Sequence, residues 1–476
     1  MQIITDDLGA FRRRWTRRAF LSRSGMGLGA LALSSISSRA SQPDDRWQGT
    51  IGPLHFAPKA KRVIQLYQAG GPSHLELFDF KPKLLAMHGE PMPASFTEGQ
   101  PIAQLQGQPL KCFGPQHPFA RYGRSGQELS TLLPEIGGIA DEIAVVRSMT
   151  TEQINHDPAH TFMNTGTQIS GRPSAGSWVW YGIGAETEEL PGYVVLISQG
   201  RGGQMQPIAA RQWASGFLPS RFQGVQFRSK GDAVLYLRDP EGITRGQQRD
   251  VIDAVAALAR TDPDFLDDPE VAARLSQYEM AFRMQTSVPA LTDFSDEPRS
   301  VLESYGVEGM DGSFAANCLL ARRLAERGVR YIQLYHRDWD HHSRIKADIV
   351  MKAREVDRAS AALVKDLKDR GMLDETLVLW GGEFGRTPMA QSDGRDHHIK
   401  GFSMWLAGGG IRGGVSHGAT DELGYHAVEN PVSVHDLHAT MLYLLGIDHT
   451  RLTFKYLGRD FRLTDVKGEV VKAILT

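Results

Sequence analysis

Short apolar runs recur along this chain, and each one ends in a loop of glycine, acid or histidine. They are Arg62–Tyr67, Ile143–Val146, Gly192–Ser198, Val329–Tyr335, Thr376–Trp380 and Phe402–Ala407. Between several of them the pattern changes from strand-like to helical. Residues 343–370 show this most clearly. Ile345, Ile349, Val356, Leu363 and Leu367 fall on one face, charges fill the other, and Gly371 stops the run. Phe314–Arg327 before Gly328 and Val434–Leu445 before Gly446 have the same character. Such alternation predicts an α/β fold, a doubly wound, mostly parallel sheet with helices on both faces. Ligands of such sheets sit beyond the carboxyl ends of the strands. The loops that follow the runs therefore share one edge, and the chemistry belongs there.

After Thr376–Trp380 comes Gly381-Gly382-Glu383-Phe384-Gly385-Arg386-Thr387-Pro388. Its glycines strip away side chains and present one carboxylate, Glu383, and one guanidinium, Arg386. Asp340-His341-His342 follows the run at 329–335, and Asp396-His397-His398 precedes the run at 402–407. Ten of the sixteen histidines lie between 336 and 449. Imidazoles mixed with carboxylates suit zinc, manganese or iron, whereas sets of oxygen alone suit calcium or magnesium. Asp340, His342, Glu383, Asp396, His397 and His398 are the candidate metal ligands. In an adjacent histidine pair, one ring often ligates while the other orients or binds substrate. Arg386 is expected either to grip an anionic group or to pair with Glu383. His435, Asp436 and His438 open the last helix, where an acid complements the helix dipole, so they are expected to be structural. No Gly-x-Ser-x-Gly elbow or Walker loop occurs.

The formal net charge of -2 points to neither nucleic acid nor an anionic membrane as partner. Residues 1–40 look like a leader rather than part of the fold. Thr16-Arg17-Arg18-Ala19-Phe20-Leu21 is a twin-arginine pattern, an apolar Gly-rich run spans 25–36, and Ser38-Arg39-Ala40 supplies small residues at a cleavage position. This resembles a Tat-type signal, implying a periplasmic or secreted protein. The apolar run is too short for a stable membrane span. Residues 41–58 are a polar linker, and 59–476 form the α/β domain, with an insertion at about 200–310. Cys112 and Cys318 could form a disulfide or remain as two buried thiols.

Several motifs agree in order with one family. They are Gly70-Gly71-Pro72-Ser73-His74-Leu75-Glu76-Leu77-Phe78-Asp79, then Trp339-Asp340-His341-His342, then Gly382-Glu383-Phe384-Gly385-Arg386-Thr387-Pro388. Gly394-Arg395-Asp396-His397-His398, Leu406-Ala407-Gly408-Gly409-Gly410-Ile411 and the ending Asp436-Leu437-His438-Ala439-Thr440 follow. Together they resemble the DUF1501 family over residues 50–462, and that family is similar to the alkaline phosphatase and sulfatase superfamily. The resemblance implies an alkaline-phosphatase-like fold and a metal-dependent hydrolase of sulfate or phosphate esters. Its substrate would be a small-molecule or carbohydrate ester and its cofactor one or more divalent ions, zinc, manganese or calcium. It places Asp340, His342, Glu383 and His397 or His398 at metal, and gives Glu76 or Asp79 the part of a missing acid after the first strand. Asn164-Thr165-Gly166 resembles the end of a sulfatase signature. Counting back from it puts His156 where a nucleophilic Ser or Cys would stand. His156 and His160 are then expected to handle protons, with Arg386 on an ester oxygen. Thr150 or Thr151 would serve as nucleophile if the loop is shifted. The alternative is a non-catalytic exported binding or assembly protein on the same fold.

Overall fold

The structure is a computed structural model that describes residues 47–100, 102–198, 200, 208–234, 242–261 and 269–476. The leader and residues 41–46 of the linker lie outside the described residues. The main sheet is built from β1 (Arg62–Gln68), β2 (Ile143–Thr150), β3 (Tyr193–Ser198), β4 (Val225–Phe227), β5 (Tyr331–His336) and β6 (Thr376–Gly381). A hairpin of β7 (Gly385–Gln391) and β8 (Gly394–His398) stands apart from it and leads into β9 (Phe402–Ala407). Two short strands, β10 (Val415–His417) and β11 (Val432–Ser433), both pair with β2. The order is β10-β2-β9-β6-β1-β5-β3-β4.

All pairings in this sheet are parallel except those of β9, which runs against both β2 and β6. Strands covered on both faces have no solvent side to alternate toward, so β1 reads Arg-Val-Ile-Gln-Leu-Tyr-Gln and is buried throughout. Its residues divide between two cores. Ile64 and Leu66 pack with α3 (Phe314–Glu326) and α4 (Ile345–Asp369), while Val63 and Tyr67 pack with α2 (Ala175–Ile183) and α5 (Val434–Leu444). The doubly wound, mostly parallel α/β arrangement expected from the sequence is the one observed.

Part of the segment expected as an insertion joins the main sheet, because Val225–Phe227 is its edge strand. Two helices follow, Arg245–Thr261 and Pro269–Thr292. Cys112 and Cys318 are both free and buried, so the disulfide alternative is not the one adopted. Among the described residues, no helix is long and apolar enough to cross a membrane.

Strands β1, β2, β5 and β6 all end at the same edge. The loop after β2 leads into α1 (His156–Thr165), which Gly166 closes in the left-handed conformation. The loop after β5 carries Asp340 and His342, and the turn after β6 carries Glu383. Because β9 is antiparallel, it begins where the others end, and the hairpin before it delivers His397 to that edge.

Candidate metal centre

Gly70, just past β1, is what allows these loops to meet. At φ +119°, a Cβ there would lie 2.7 Å from the backbone nitrogens of both Trp339 and Asp340. Its N–H donates to both oxygens of Glu383, at 3.0 and 3.3 Å. Gly394 plays a similar part across the hairpin, where a Cβ would sit 2.4 Å from the His342 carbonyl carbon.

Four side chains converge on this edge. His156 Nε2, His342 Nε2 and His397 Nε2 lie 3.1, 2.8 and 3.3 Å from one oxygen, Asp340 Oδ1. The two nitrogens of His342 and His397 are 3.0 Å apart. Ligand atoms of all four residues fall within 4.8 Å of one another. His156, Asp340 and His342 keep 13, 15 and 20% of their side-chain surface exposed, so the cluster opens to solvent on one side.

The far nitrogen of each ring decides where its proton sits. His156 Nδ1 faces Glu383 Oε1 at 2.7 Å, His397 Nδ1 faces the Ile154 carbonyl at 2.8 Å, and His342 Nδ1 faces Gln391 Oε1. The Gln391 amide is oriented by its own Nε2, which donates to Gln104 Oε1 at 2.8 Å. Each Nδ1 meets an acceptor and must carry the hydrogen. In their neutral forms the rings turn three Nε2 lone pairs and a carboxylate oxygen toward one point. Such a set repels itself unless a cation or extra protons lie among its members. A tetrahedral zinc site with Zn–N near 2.0–2.1 Å has ligand–ligand edges of about 3.3–3.4 Å, close to the spacings here. Rings that ligate metal commonly donate their other N–H to a carboxylate or carbonyl, as all three do. The residues present fit a divalent ion of the zinc or manganese kind.

The surrounding charges shift the members of the cluster in different directions. Burial would raise the Asp340 carboxyl, but the Arg386 guanidinium and the three imidazoles hold it far below the usual carboxylate range. Burial would lower His156, yet Asp340 and Glu383 outweigh it and raise its pKa. At His397 burial prevails over Asp340, and the pKa falls. Glu383 stays below its ordinary value despite burial, because His160 and His156 stand beside it.

Behind the cluster lies a second, deeper group of His156, His160 and Glu383. His160 Nδ1 is 2.8 Å from the Tyr67 hydroxyl and 3.6 Å from Glu383 Oε2, and burial lowers its pKa. His160 Nε2 is buried without a hydrogen-bond partner.

Of the residues expected at metal, Asp340, His342 and His397 come together, and Glu383 stands one layer behind. Asp396 and His398 are elsewhere. Asp396 accepts from the backbone nitrogens of Gln104, Leu105 and His397 at 2.6, 3.0 and 2.8 Å, which pins the hairpin to the segment at 104–105. His398 bonds the Tyr425 carbonyl, and burial pushes its pKa down to about 3. A register shift between Arg395 and His397 marks a bulge, and adjacent strand residues face opposite ways, so the histidine pair is split. Glu76 pairs with Arg395, both fully buried, and Asp79 pairs with Lys81, so neither reaches the cluster.

Arg386 is also placed differently from the expectation. It donates to the carbonyls of Gly70, Gly71 and Arg395 and pairs with Asp340, while fully buried. It braces the ligand loops instead of reaching toward an ester. His435 and His438 bond the carbonyls of Gly166 and Met163, and Asp436 completes a capping box with Ser433.

A family model described as "Protein of unknown function (DUF1501)" matches residues 60–475. The chain belongs to that family. Comparison of this DUF1501 chain with curated proteins returns no match. Among solved structures it is similar to the lipoteichoic acid synthase from Listeria monocytogenes at 11% identity and TM-score 0.34, covering 90% of this chain and 78% of that one. It is similar to a protein in the alkaline phosphatase superfamily from Vibrio parahaemolyticus at 9% identity and TM-score 0.32, covering 87% and 73%. It is also similar to a sulfatase from Pseudoalteromonas sp. at 13% identity and TM-score 0.32, covering 82% and 68%.

Three participants in this DUF1501 site had no clear signature in the sequence. Ile154 acts through a backbone carbonyl, Gln391 through an amide, and Tyr67 sits inside an apolar run. The hairpin itself was readable in part, since Ser392-Asp393-Gly394 is a tight-turn signal between its strands.

Proposed function

We propose that this protein is an exported metal-dependent hydrolase of sulfate or phosphate esters. In this reading His156, His342 and His397 through Nε2, and Asp340 through Oδ1, hold one divalent cation. The observation that carries the reading is the convergence of three tautomer-locked Nε2 atoms on Asp340 Oδ1. Three nitrogen donors favour zinc or manganese over calcium. A bound cation would polarise an ester oxygen and lower the pKa of water.

The chain's own residues supply the rest. Glu383 holds His156 in the tautomer that presents Nε2. Arg386 offsets the Asp340 charge and ties the loops after β1 and β5 to the hairpin. His160, with an unpartnered Nε2 and a hydrogen bond to Tyr67, is the group left to move a proton. The converging groups are imidazoles and carboxylates, so the reading uses water as nucleophile rather than a covalent intermediate. A second reading is favoured by the full engagement of Arg386. With that guanidinium spent on backbone and Asp340, the domain would bind a cation and a ligand without turnover.

Metal analysis of the untagged protein, paired with assays on aryl sulfates, phosphates and phosphonates, separates the two. One equivalent of metal with hydrolysis, both lost in His342→Ala, supports the hydrolase. Metal without hydrolysis supports the binding protein. Absence of stoichiometric metal overturns both.

A further inference from the structure

The loop between β5 and α4 carries Asp340 and His342, and two non-glycine residues in the left-handed region bracket them. Asp338 has φ 74° and Arg344 has φ 54°. Residues held in such conformations need support from their surroundings. At the far end the support is visible. The hairpin's Asp393 accepts the Arg344 N–H through Oδ1 at 2.8 Å, and its carbonyl accepts the Ile345 N–H at 3.2 Å.

At the near end stands Lys352, on α4 and 1% exposed. Its Nζ lies 2.8 Å from Glu355 Oε2 and 3.6 Å from Asp338 Oδ2. Glu355 Oε2 is also 3.0 Å from His336 Nε2, and His336 Nδ1 is 2.9 Å from Ser198 Oγ. Gly200 closes over the pair, since a Cβ there would lie 2.4 Å from Lys352 Nζ and 2.7 Å from Asp338 Oδ2. Ser198, His336 and Glu355 are spaced like a nucleophile, base and acid. Ser198 and His336 are fully buried, though, so the series does not face substrate. It is a polar strut running from the ends of β3 and β5, through α4, to Asp338.

The geometry points to Lys352 as a positioning residue for the cation site. Its ammonium, anchored by Glu355, holds Asp338 in its left-handed conformation. That conformation sets the direction in which Asp340 and His342 leave β5. Lys352 touches none of the four converging side chains, so its influence on them runs through the loop backbone. This inference rests on the cation site proposed above.

The test measures zinc affinity by competition with a chromophoric chelator, alongside denaturant unfolding of the metal-free proteins. Lys352→Met should weaken zinc binding about 10- to 100-fold, the usual range when a residue that orients ligands is lost. Lys352→Arg, which keeps the charge, should recover most of it. Asp338→Asn, which tolerates the same backbone conformation without the charge, should weaken binding in the same direction and guards against misfolding of the methionine variant. Wild-type zinc binding with unchanged affinity in both Lys352→Met and Asp338→Asn overturns the inference alone. No zinc binding by the wild type overturns it together with the proposed function. A purely structural Lys352 would lower unfolding stability while leaving the affinity of the folded protein where it was.

Discussion

Replacing Glu383 with Gln keeps the shape of the side chain and removes one acceptor. Glu383 now takes hydrogens from the Gly70 N–H at 3.0 and 3.3 Å and from His156 Nδ1 at 2.7 Å. The shorter Gly70 bond and the His156 bond meet the same oxygen, Oε1. A Gln oxygen in that place still accepts from both, because an amide oxygen has two lone pairs. Its NH2 then stands where Oε2 was, against the Gly70 N–H and His160 Nδ1. His156 keeps its tautomer but donates to a neutral carbonyl, and exchanging a charge-assisted bond for a neutral one costs about 1–2 kcal/mol. At about 1.4 kcal/mol per decade, zinc affinity should fall roughly 10-fold. Chelator competition measures the affinity, and nitrogen chemical shifts of the His156 ring report its tautomer. Unchanged affinity would refute the orienting role of Glu383. A loss beyond about ten-thousandfold would refute it differently, by showing that the carboxylate itself ligates.

His342→Ala and His397→Ala should each empty the site, as read by metal analysis, while His398→Ala should leave metal content unchanged because its ring is engaged with the Tyr425 carbonyl. Arg386→Met leaves the Asp340 carboxylate in a largely buried place without its guanidinium, and should cost about 3–5 kcal/mol in denaturant unfolding of the metal-free protein. Adding zinc should restore part of that loss. Burial would raise Glu355, but His336 and Lys352 bring it down to about 2 from an ordinary 4.5. Its contribution is thus complete above about pH 4.5 and disappears as the pH falls toward 2, at most ~3 kcal/mol. Glu355→Gln should flatten that part of the stability profile.

The architecture was legible because parallel strands buried on both faces and amphipathic helices leave strong periodic marks. The runs at 62–67, 376–380 and 402–407 and the helix at 343–370 agree with the structure to within a few residues. The shared edge followed from topology alone. What the sequence did not resolve was which member of each acid–histidine cluster faces inward. Asp340 and His342 both turn to the cluster from a single loop. His397 and His398 part company because a bulge and strand alternation set their faces, and neither effect shows in residue identity. Nor does residue identity show that His156 stands beside Asp340 with Glu383 behind it. Their order depends on the Gly70 amide and on ring tautomers, which are properties of three-dimensional contact. Arg386 carried a chemical signal for anion binding, but the carbonyls that occupy it are anonymous in a sequence.

The antiparallel β9 has a bearing on the order in which the molecule is made. The residues brought together at this edge are far apart along the chain: Asp340 and His397 are separated by 57 positions, and His156 and Glu383 by 227. Loops that long close late, since their entropy must be spent before the contact returns anything. The ends of β1, β2, β5 and β6 and the entry to β9 must all be aligned before four ligands face one point. If the proposed cation site is filled, the ion therefore cannot template the early chain, and its loading would act as a checkpoint on a finished sheet. A chain that captures zinc while unfolded would hold it with other histidines, and refolding in the presence of excess metal should be slower than refolding first and loading afterwards.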